Sequence, residues 1–245
     1  MKARAAALQT LTVLARIDSV DWSGAEETLN EHGWAHLEGL LSNEECDALA
    51  ARYDDEDGFR SRVIMARHGF GRGEYRYFAY PLPDLISELR GALYPHLAPV
   101  ANRWHALMDA ATRFPDTHAE FIERCRAAGQ SKPTPLLLRY GPGDYNCLHQ
   151  DLYGEHVFPL QAVFLLSAPG ADFTGGEFVL TEQRPRMQSR AEVAPLRKGD
   201  CAIFAVHTRP RLGSRGAYRV NMRHGVSRLK SGKRLAAGII FHDAS

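Results

Sequence analysis

Cysteine is scarce in this chain, and it is not arranged for cross-linking. The 245 residues include four cysteines, Cys46, Cys125, Cys147 and Cys201, and no two of them form a Cys-x-x-Cys pair. Scattered cysteines of this kind are typical of free thiols in a reducing compartment. The pattern therefore predicts a cytoplasmic protein that does not depend on disulfides.

An excess of charge of one sign and a long hydrophobic run are also missing. The chain has 30 Lys+Arg against 29 Asp+Glu, so bulk electrostatics argue neither for nor against a nucleic-acid partner. No apolar run approaches the length of a membrane span, so we expect no membrane partner. Residues 5–15 are mildly apolar but are interrupted by Gln9, Thr10 and Thr12. No small-x-small cleavage site follows, which predicts a surface helix there rather than a signal peptide.

The first half of the chain has helical patterns. No repeat, low-complexity run or convincing linker divides the sequence, so we expect a single domain over 1–245. Ser23 with Glu26 and Ser42 with Glu45 fit the capping box that opens a helix. Residues 83–128 carry apolar positions at helical spacing. The elements predicted in this half are helices over 24–32 and 43–53, a short strand over 34–40, and helical structure within 83–128.

The second half changes to short apolar segments bounded by Gly, Pro or Asp. That pattern predicts a sandwich or barrel of short antiparallel strands. The predicted strands cover 136–140, 156–167, 177–181, 201–206 and 235–241. The expected fold is therefore α+β, with a mainly helical N-terminal layer over 1–134 and a β core over 135–245.

A metal site is indicated by His149-Gln150-Asp151 and by a later histidine, either His207 or His224. Side chains alternate along a strand, so His149 and Asp151 point the same way and can reach one ion. Two imidazoles and one carboxylate, without a thiolate, suit non-heme Fe(II) and leave three positions for a co-substrate and oxygen. Taken alone, His-x-Asp is common by chance and often lies on a solvated loop.

The surroundings of these residues resemble a known enzyme superfamily. Arg139-Tyr140-Gly141-Pro142-Gly143, four residues, then Leu148-His149-Gln150-Asp151 resembles the AlkB alkylation-repair dioxygenases. The downstream Gly199-Asp200 and His224-Gly225-Val226 and the Gly175-Gly176-Glu177 turn resemble the prolyl 4-hydroxylase branch. The resemblance covers roughly residues 135–242. It implies a double-stranded β-helix, or jelly-roll, core and a dioxygenase that uses Fe(II), 2-oxoglutarate and O₂.

The resemblance also implies a role for individual residues. Arg234 lies ten residues after His224, as in the family, whereas ten residues after His207 lies Ala217. We therefore expect His149, Asp151 and His224 to bind the metal, with His207 as the alternative. Arg234 would bind the C5 carboxylate of 2-oxoglutarate. Tyr140 matches a tyrosine that binds 2-oxoglutarate in AlkB relatives, with ordinary core packing as its alternative.

The spacing of His224 and Arg234 allows a geometric test of that pairing. Lys230-Ser231-Gly232-Lys233 has the composition of a hairpin turn. A three-residue loop would place both residues on one face, about 13 Å apart along the strand. A two-residue loop would place them on opposite faces. The assignment therefore predicts the longer loop, or another bend that restores the face.

The substrate is indicated by a basic and aromatic stretch at 60–78, which interleaves five arginines with four aromatics and three glycines. Arginines contact phosphates and aromatics stack on bases, and AlkB relatives carry their nucleotide-recognition lid here. We expect Arg67, Arg72 and Arg76 to contact nucleic acid; the alternative is a packed loop and strand with a solvated basic edge. A second basic patch contains Arg209, Arg211, Arg215, Arg219 and Arg223.

The predicted activity is oxidation of a nucleic-acid base by demethylation or hydroxylation. One departure favours a different substrate: Ile240 stands where AlkB relatives have a second arginine. A protein, peptide or small-molecule hydroxylase of the prolyl 4-hydroxylase type is therefore the alternative. A non-catalytic jelly-roll binding protein is a third reading, and it would not need the four residues His149, Asp151, His224 and Arg234 together. The oligomeric state is left open.

Overall fold

The computed structural model describes residues 11–245. The expected surface helix over 5–15 falls mostly outside this range. No helix within the described residues is both long enough and apolar enough to cross a membrane. The helices are α1 (Val13–Asp18), α2 (Trp22–His32), α3 (Asn43–Ala51), α4 (Asp84–Leu107) and α5 (His118–Ala127), with short 3₁₀ turns at Arg52–Asp54 and Met65–Arg67.

Fifteen strands complete the described part of the chain. They are β1 (Trp34–Leu37), β2 (Phe59–Ile64), β3 (Gly71–Arg72), β4 (Glu74–Phe78), β5 (Leu136–Tyr140), β6 (Tyr145–His149), β7 (Leu160–Leu165), β8 (Phe173–Gly175), β9 (Phe178–Gln183), β10 (Arg190–Ala194), β11 (Cys201–Ala205), β12 (Thr208–Gly213), β13 (Gly216–Val226), β14 (Leu229–Gly232) and β15 (Arg234–Ile239).

The strands form two main antiparallel sheets and a small third one. The major sheet has the order β1-β11-β7-β15-β5-β4-β2. The minor sheet has the order β10-β9-β13-β6-β3, with β12 paired to β13, and β14 pairs with β8. Side chains from both main sheets line one cavity, as expected for a jelly-roll. The α+β fold predicted from the sequence is confirmed.

The central strands of the major sheet are buried on both faces. Leu137, Phe164 and Leu235 pack on the side that carries the helices, while Val163 and Ala236 pack on the side that faces the minor sheet. Helix α4 covers the first side with Leu89, Leu93, Leu97, Ala101 and Trp104. Burial on both faces explains why these strands appear in the sequence as continuous apolar runs rather than alternating ones.

The helix starts show one correct and one wrong capping prediction. At α3, the Ser42 hydroxyl accepts from Glu45 N and the Glu45 carboxylate accepts from Ser42 N, so that capping box is confirmed. The box predicted at Ser23 and Glu26 is wrong. Helix α2 begins at Trp22, and the Asp21 carboxylate accepts from Gly24 N at 3.0 Å. Aspartate is an equally good N-cap, and Asp21, two residues before Ser23, caps the helix instead.

The expected hairpin between His224 and Arg234 is wrong. His224 lies on β13 of the minor sheet and Arg234 lies on β15 of the major sheet. The segment between them carries β14, which pairs with β8 instead. Gly232 has a φ of +80°, and a Cβ there would lie 2.0 Å from the Asp172 carbonyl oxygen. Because Gly232 has no side chain, the backbone can pack closely against β8 where the chain passes from the minor sheet to the major sheet.

The stretch 60–78 forms a hairpin that extends the major sheet. Strands β2 and β4 pair with each other, and β4 pairs with β5. The tip of this hairpin, residues 65–73, is hereafter the strap. The strap reaches the minor sheet, where Phe70 O accepts from Cys147 N at 2.9 Å and Gly71 pairs with Asn146. The N-terminal layer is thus not only helical, because it contributes β1 to β4 to the two sheets.

Candidate active site

A cavity of about 320 Å³ lies between the two main sheets. Its exposed end is formed by the strap and by β6, where Phe70 and Leu148 are 47% and 46% accessible. Its inner end is formed by buried residues of β15, Arg234 and Ala236. The cavity therefore has one open mouth, at the strap, and a buried end against the major sheet.

Three potential metal ligands meet inside this cavity. His149 ends β6, Asp151 follows it, and His224 on β13 is directly paired with His149. One ligand atom from each of the three lies within 4.8 Å of the others. Nε2 of His149 is 3.4 Å from Asp151 Oδ1, and Nε2 of His224 is 3.3 Å from Asp151 Oδ2. Within residues 11–245 no other cluster of histidine, cysteine and acidic side chains meets this geometry.

The histidine orientations suit metal binding through Nε2. His149 Nδ1 lies 2.8 Å from the carbonyl oxygen of Cys147. A carbonyl only accepts, so Nδ1 donates to it, and Nε2 is the nitrogen that faces Asp151 and is left for a metal once its own proton is displaced. The imidazole of His224 packs against the Phe204 ring with centroids 4.6 Å apart. Both rings are therefore fixed in orientation before any ion binds.

Asp151 is held at both of its oxygens. Tyr153 donates its hydroxyl to Oδ1 at 2.8 Å, and Gln161 donates from Nε2 to Oδ2 at 3.0 Å. Burial opposes ionisation, but the hydrogen bonds from His149 and His224 outweigh it and hold the pKa of Asp151 well below 3.8. Asp151 is therefore a carboxylate at neutral pH, which is the form that binds a metal.

The two histidines differ in their tendency to take a proton. Burial lowers the pKa of His149, but its hydrogen bond with Asp151 outweighs this and raises the pKa above 6.5. The pKa of His224 is lowered, mainly by burial and then by the neighbouring His149. His224 is therefore neutral, and a metal has to displace a proton chiefly from His149.

His207 does not join this cluster. It lies between β11 and β12, outside the residues that line the cavity. Its carbonyl oxygen accepts from Met222 N at 2.6 Å, and its Nδ1 faces the Thr208 hydroxyl at 3.2 Å. Of the two candidates left open by the sequence, the structure brings His224 and not His207 to His149 and Asp151.

Arg234 and Tyr140 are directly opposed residues of β15 and β5. Both are buried and both line the cavity. Arg234 is 2% exposed, yet no described carboxylate lies within ion-pair distance of it, and its Nε has no hydrogen-bond partner. Burial lowers its pKa. The guanidinium lies over the rings of Tyr140 and Phe173, with its carbon 5.5 and 6.0 Å from their centres. A buried guanidinium without a carboxylate partner is costly, so this end of the cavity suits an anion.

The predicted substrate arginines lie in different places. Arg67 and Arg72 belong to the strap and are exposed near the cavity mouth. Arg76 is on β4 and donates to the carbonyl oxygens of Tyr53 and Asp55 at 2.6 and 2.7 Å. Because side chains alternate on a strand, Arg76 faces away from the cavity that Tyr75 and Tyr77 line. The structure does not bring Arg76 to the mouth.

The second basic patch is partly structural. Arg209 is fully buried, where it pairs with Glu182 and donates to the carbonyl oxygens of Asn30 and Glu31. Arg219 donates to the carbonyl oxygen of Met108. These two arginines hold α2 and the end of α4 against the minor sheet.

Sequence reasoning missed Tyr153 and Gln161, the two donors to Asp151. Gln161 is a buried polar residue inside the apolar strand β7. A lone amide in a strand buried on both faces requires a partner, and that was the available signal. The only sequence signal for Tyr153 was its position two residues after Asp151, and that position does not reveal the hydrogen bond between their side chains. Tyr75 and Tyr77, which line the same cavity, were visible in the sequence only as part of an aromatic stretch.

Comparison with known proteins places these features in a family. Residues 73–244 match the model of the family Oxygenase-NA, described as an oxygenase catalysing oxidative methylation of damaged DNA. Two proteins of Mycobacterium tuberculosis strains, named Uncharacterized protein Rv2227 and Uncharacterized protein MT2286, are each 49% identical over 168 residues. The match covers 69% of this chain and 72% of each relative.

Two solved structures share the fold. A Pseudomonas putida prolyl-4-hydroxylase superposes with a TM-score of 0.55 and 15% identity over 91% of this chain and 99% of its own. A 2OG-Fe(II) oxygenase family oxidoreductase from Burkholderia pseudomallei superposes with a TM-score of 0.57 and 15% identity over 93% and 94% of the two chains. The fold predicted from the resemblance is thereby confirmed. Since the matched residues 73–244 make up more than half of the chain and include His149, Asp151, His224 and Arg234, this protein belongs to the Oxygenase-NA family of oxygenases.

Proposed function

We propose that this oxygenase uses Fe(II) and 2-oxoglutarate to remove an alkyl group oxidatively from a nucleic-acid base. One observation carries the proposal. A single cavity holds a His-Asp-His cluster and, at its buried end, the guanidinium of Arg234, which forms no ion pair with a described carboxylate and whose Nε makes no hydrogen bond. The first feature suits a redox-active metal, and the second suits a small anionic co-substrate.

The metal part of the proposal rests on the donor set. His149, Asp151 and His224 offer two nitrogens and one oxygen with no thiolate, which favours non-heme iron and leaves three positions open. Bound Fe(II) would supply the activation of O₂, coupled to oxidation of the co-substrate. The protein contributes orientation: Tyr153 and Gln161 fix the Asp151 carboxylate, and the Cys147 carbonyl fixes the ring of His149.

The co-substrate part rests on Arg234 and Tyr140. A guanidinium binds a carboxylate through two parallel hydrogen bonds, which makes Arg234 suited to one end of a dicarboxylate. Tyr140 lies directly opposite it on β5 and lines the same cavity. The other end of the molecule then lies toward the three metal ligands. We assign this role to 2-oxoglutarate.

The substrate part combines the family with the cavity mouth. The family description names damaged DNA. The cavity wall carries Tyr75, Tyr77 and Tyr153, and an unstacked base enters a pocket of this kind by stacking on aromatic rings. At the mouth, Arg67 and Arg72 are exposed on the strap, where phosphates would lie.

A second arginine site adjoins the strap and supports the same surface. Arg72 pairs with Tyr145 on β6, and the Arg228 guanidinium lies 5.3 Å from the centre of the Tyr145 ring. Two exposed arginines, Arg72 and Arg228, thus lie next to Tyr145 on β6. We include Arg228 with Arg67 and Arg72 as a phosphate-contacting residue and leave Arg76 out, because it is bound to the 53–55 turn.

One observation favours a different substrate. Ile240 lines the cavity at the position where AlkB relatives have an arginine, and the fold is shared with a prolyl-4-hydroxylase. A peptide or small-molecule hydroxylase is therefore the second candidate function.

The co-substrate and the substrate are tested separately. Anaerobic protein with Fe(II) should develop a visible charge-transfer band when 2-oxoglutarate is added; absence of the band would refute the co-substrate.

Binding of a methylated single-stranded oligonucleotide should weaken as the salt concentration rises. The slope of log binding constant against log salt concentration should decrease in magnitude by about 0.7 for each of Arg67→Gln and Arg72→Gln. Arg103→Gln, an exposed arginine of α4 paired with Glu26, is the matched control. An oligonucleotide that does not bind at low salt would favour the hydroxylase.

A further inference from the structure

One of the three proposed metal ligands is not held in place by a strand. His149 ends β6 and His224 lies on β13, where the two residues are directly paired. Asp151 instead lies in the segment 150–157, which follows β6 and has no regular secondary structure. Among the described residues, this segment forms no backbone-to-backbone hydrogen bond. The position of the Asp151 carboxylate therefore has to be set by side chains that hold the segment.

Gln130 holds this segment through its side-chain amide, which is buried. Its Oε1 accepts from His156 N at 2.7 Å, and its Nε2 donates to His156 O at 3.2 Å and to Tyr153 O at a longer 3.4 Å. Exchanging two hydrogen bonds with one residue is what a neighbouring strand would do. Gly154 has a φ of +85°, and a Cβ there would lie 2.5 Å from Gln130 Cδ. The backbone can therefore pass this close to the amide only at a glycine.

Gln130 is itself fixed by the end of helix α5 and by the C-terminal segment. The helix ends in a Schellman motif, in which Gly129 N donates to Arg126 O and Gln130 N donates to Cys125 O, both at 2.9 Å. The Gln130 amide also donates to Asp243 O at 2.5 Å. Gln130 is 0% exposed, so water does not compete for these bonds. The amide is thus a rigid support that the helical layer presents to the segment 150–157.

We propose that Gln130 is a positioning residue for the metal and that it acts through Tyr153. Gln130 holds the backbone at Tyr153 and His156, and the Tyr153 hydroxyl donates to Asp151 Oδ1 at 2.8 Å. If the segment shifts, the carboxylate loses one of its two donors and its fixed orientation. The inference rests on the proposed function, because Asp151 matters in this way only as a metal ligand. It adds a residue that lies outside the cavity lining and outside the His-x-Asp motif.

The affinity for Mn²⁺, measured by calorimetry, tests this role. Gln130→Leu should raise the dissociation constant of Mn²⁺ by about tenfold, the lower end of the loss expected for a residue that supports a ligand. Asn102→Leu is the matched control. Asn102 also holds the backbone of one residue, Phe114, through both ends of its amide, and it lies outside the cavity lining. Its replacement should change the dissociation constant by less than about twofold, because distant sites act independently.

A double variant separates positioning from a general loss of structure. Tyr153→Phe removes the hydroxyl that Asp151 accepts from and should by itself raise the Mn²⁺ dissociation constant by about tenfold. If Gln130 acts through that hydroxyl, the variant with both changes should bind no more than about twofold worse than Tyr153→Phe, whereas independent losses would multiply to about 100-fold. Circular dichroism establishes that each variant is folded before its affinity is compared.

Two glycine variants break the same contact from the other side and give the same test if Gln130→Leu does not fold. Gly154→Ala places a Cβ against the Gln130 amide and should weaken Mn²⁺ binding by about tenfold. Gly170→Ala, at a φ of +83° with nothing within 4 Å of its Cβ position, should not. The inference is overturned if folded Gln130→Leu or Gly154→Ala binds Mn²⁺ as tightly as wild type, or if the losses in the double variant multiply. Wild-type protein that does not bind Mn²⁺ would instead refute the proposed metal site.

Discussion

At the scale of single residues, the site depends on Asp151 more than on either histidine. Asp151 lies between the two imidazoles and receives a hydrogen bond at each oxygen. Those bonds are made in the protein without any ion bound. The carboxylate therefore needs little reorganisation to bind a metal, and its negative charge is what holds the cluster together.

Removing that charge should abolish most of the metal affinity. We expect Asp151→Asn to weaken Mn²⁺ or Fe(II) binding by about 100-fold or more, because loss of a supporting residue alone costs 10–100-fold and here a ligand is lost. Anaerobic calorimetry measures the change. Asp172→Asn, which removes an exposed carboxylate that caps Ala168 N, should leave the affinity unchanged. Equal affinity in wild type and Asp151→Asn would exclude Asp151 as a ligand.

Arg234 should determine the affinity for 2-oxoglutarate without affecting the metal. Arg234→Ala should raise the dissociation constant of 2-oxoglutarate by about 100-fold, because two charge-assisted hydrogen bonds of about 1.5 kcal/mol each disappear. Arg234→Lys should restore only part, since lysine lacks the planar fork. The control is Arg223→Ala, an exposed residue next to His224. An unchanged dissociation constant in Arg234→Ala would show that Arg234 does not bind 2-oxoglutarate.

At the scale of elements, the strap is the feature that joins the two sheets at the mouth. Its β3 residue Gly71 has a φ of +128°, and a Cβ there would lie 2.4 Å from the Tyr145 carbonyl oxygen. Gly69 in the same strap also has positive φ, but nothing lies within 4 Å of its Cβ position. A side chain at Gly69 would therefore cause backbone strain alone, whereas a side chain at Gly71 would cause both strain and a steric clash.

Two glycine variants of the strap should differ in hydrogen exchange at the Cys147 amide. Gly71→Ala should detach the strap from β6 and speed hydrogen exchange at the Cys147 amide, which donates to Phe70 O. Gly69→Ala should cost only the strain of positive φ, about 1 kcal/mol, and should leave that amide protected. Exchange measured by mass spectrometry or NMR distinguishes them. Equal protection in both variants would show that β3 does not hold the strap in place.

The elements show which parts of the fold the sequence predicts. Strand β5 was predicted with its observed bounds, and β7, β9, β11 and β15 were predicted within a few residues. Strands β7, β11 and β15 are buried along their whole length and are therefore short apolar runs. Strands β2, β4 and β13 mix polar and apolar residues and were not predicted. The hairpin between His224 and Arg234 failed because Gly232 serves a close approach to Asp172 rather than a tight turn.

The candidate site likewise contains residues that were predicted from the sequence and residues that were not. His149 and Asp151 were predicted as ligands from their alternation along a strand, and His224 and Arg234 were assigned from the resemblance to a known superfamily; the structure brings the first three within reach of one ion and places Arg234 in the same cavity. Tyr153 and Gln161 were missed, since they reach Asp151 through tertiary contacts that sequence spacing does not encode. Arg76 was grouped with Arg67 and Arg72 by proximity in sequence, but strand alternation turns it toward the 53–55 turn.

At the scale of the whole molecule, the helical layer supports the active site through one buried ion pair. Arg90 on α4 pairs with Asp243 at 2.7 Å and donates from Nε to the Ile240 carbonyl oxygen at 2.9 Å. Both side chains of the pair are at most 2% exposed. Ile240 itself lines the cavity, so the pair connects the helices to the cavity wall.

Breaking this pair should destabilise the whole protein. Arg90→Leu leaves the Asp243 carboxylate buried without its partner, which should lower the free energy of unfolding by about 3–5 kcal/mol. Arg103→Leu, which breaks the exposed pair with Glu26, should cost less than about 1 kcal/mol. Urea denaturation followed by circular dichroism measures both. Similar losses in the two variants would show that the Arg90–Asp243 pair has no special role.

For the molecule as a whole, we propose that one cavity couples 2-oxoglutarate oxidation to removal of an alkyl group from a nucleic-acid base. The most direct test of this proposal incubates the protein with Fe(II), O₂, 2-oxoglutarate and a single-stranded oligonucleotide that carries one N-methylated base, and measures succinate and unmethylated base by mass spectrometry. We expect both products in equal amounts, and we expect the His224→Ala variant to form neither. Succinate that rises only with peptide substrates, or unmethylated base formed without 2-oxoglutarate, would contradict it.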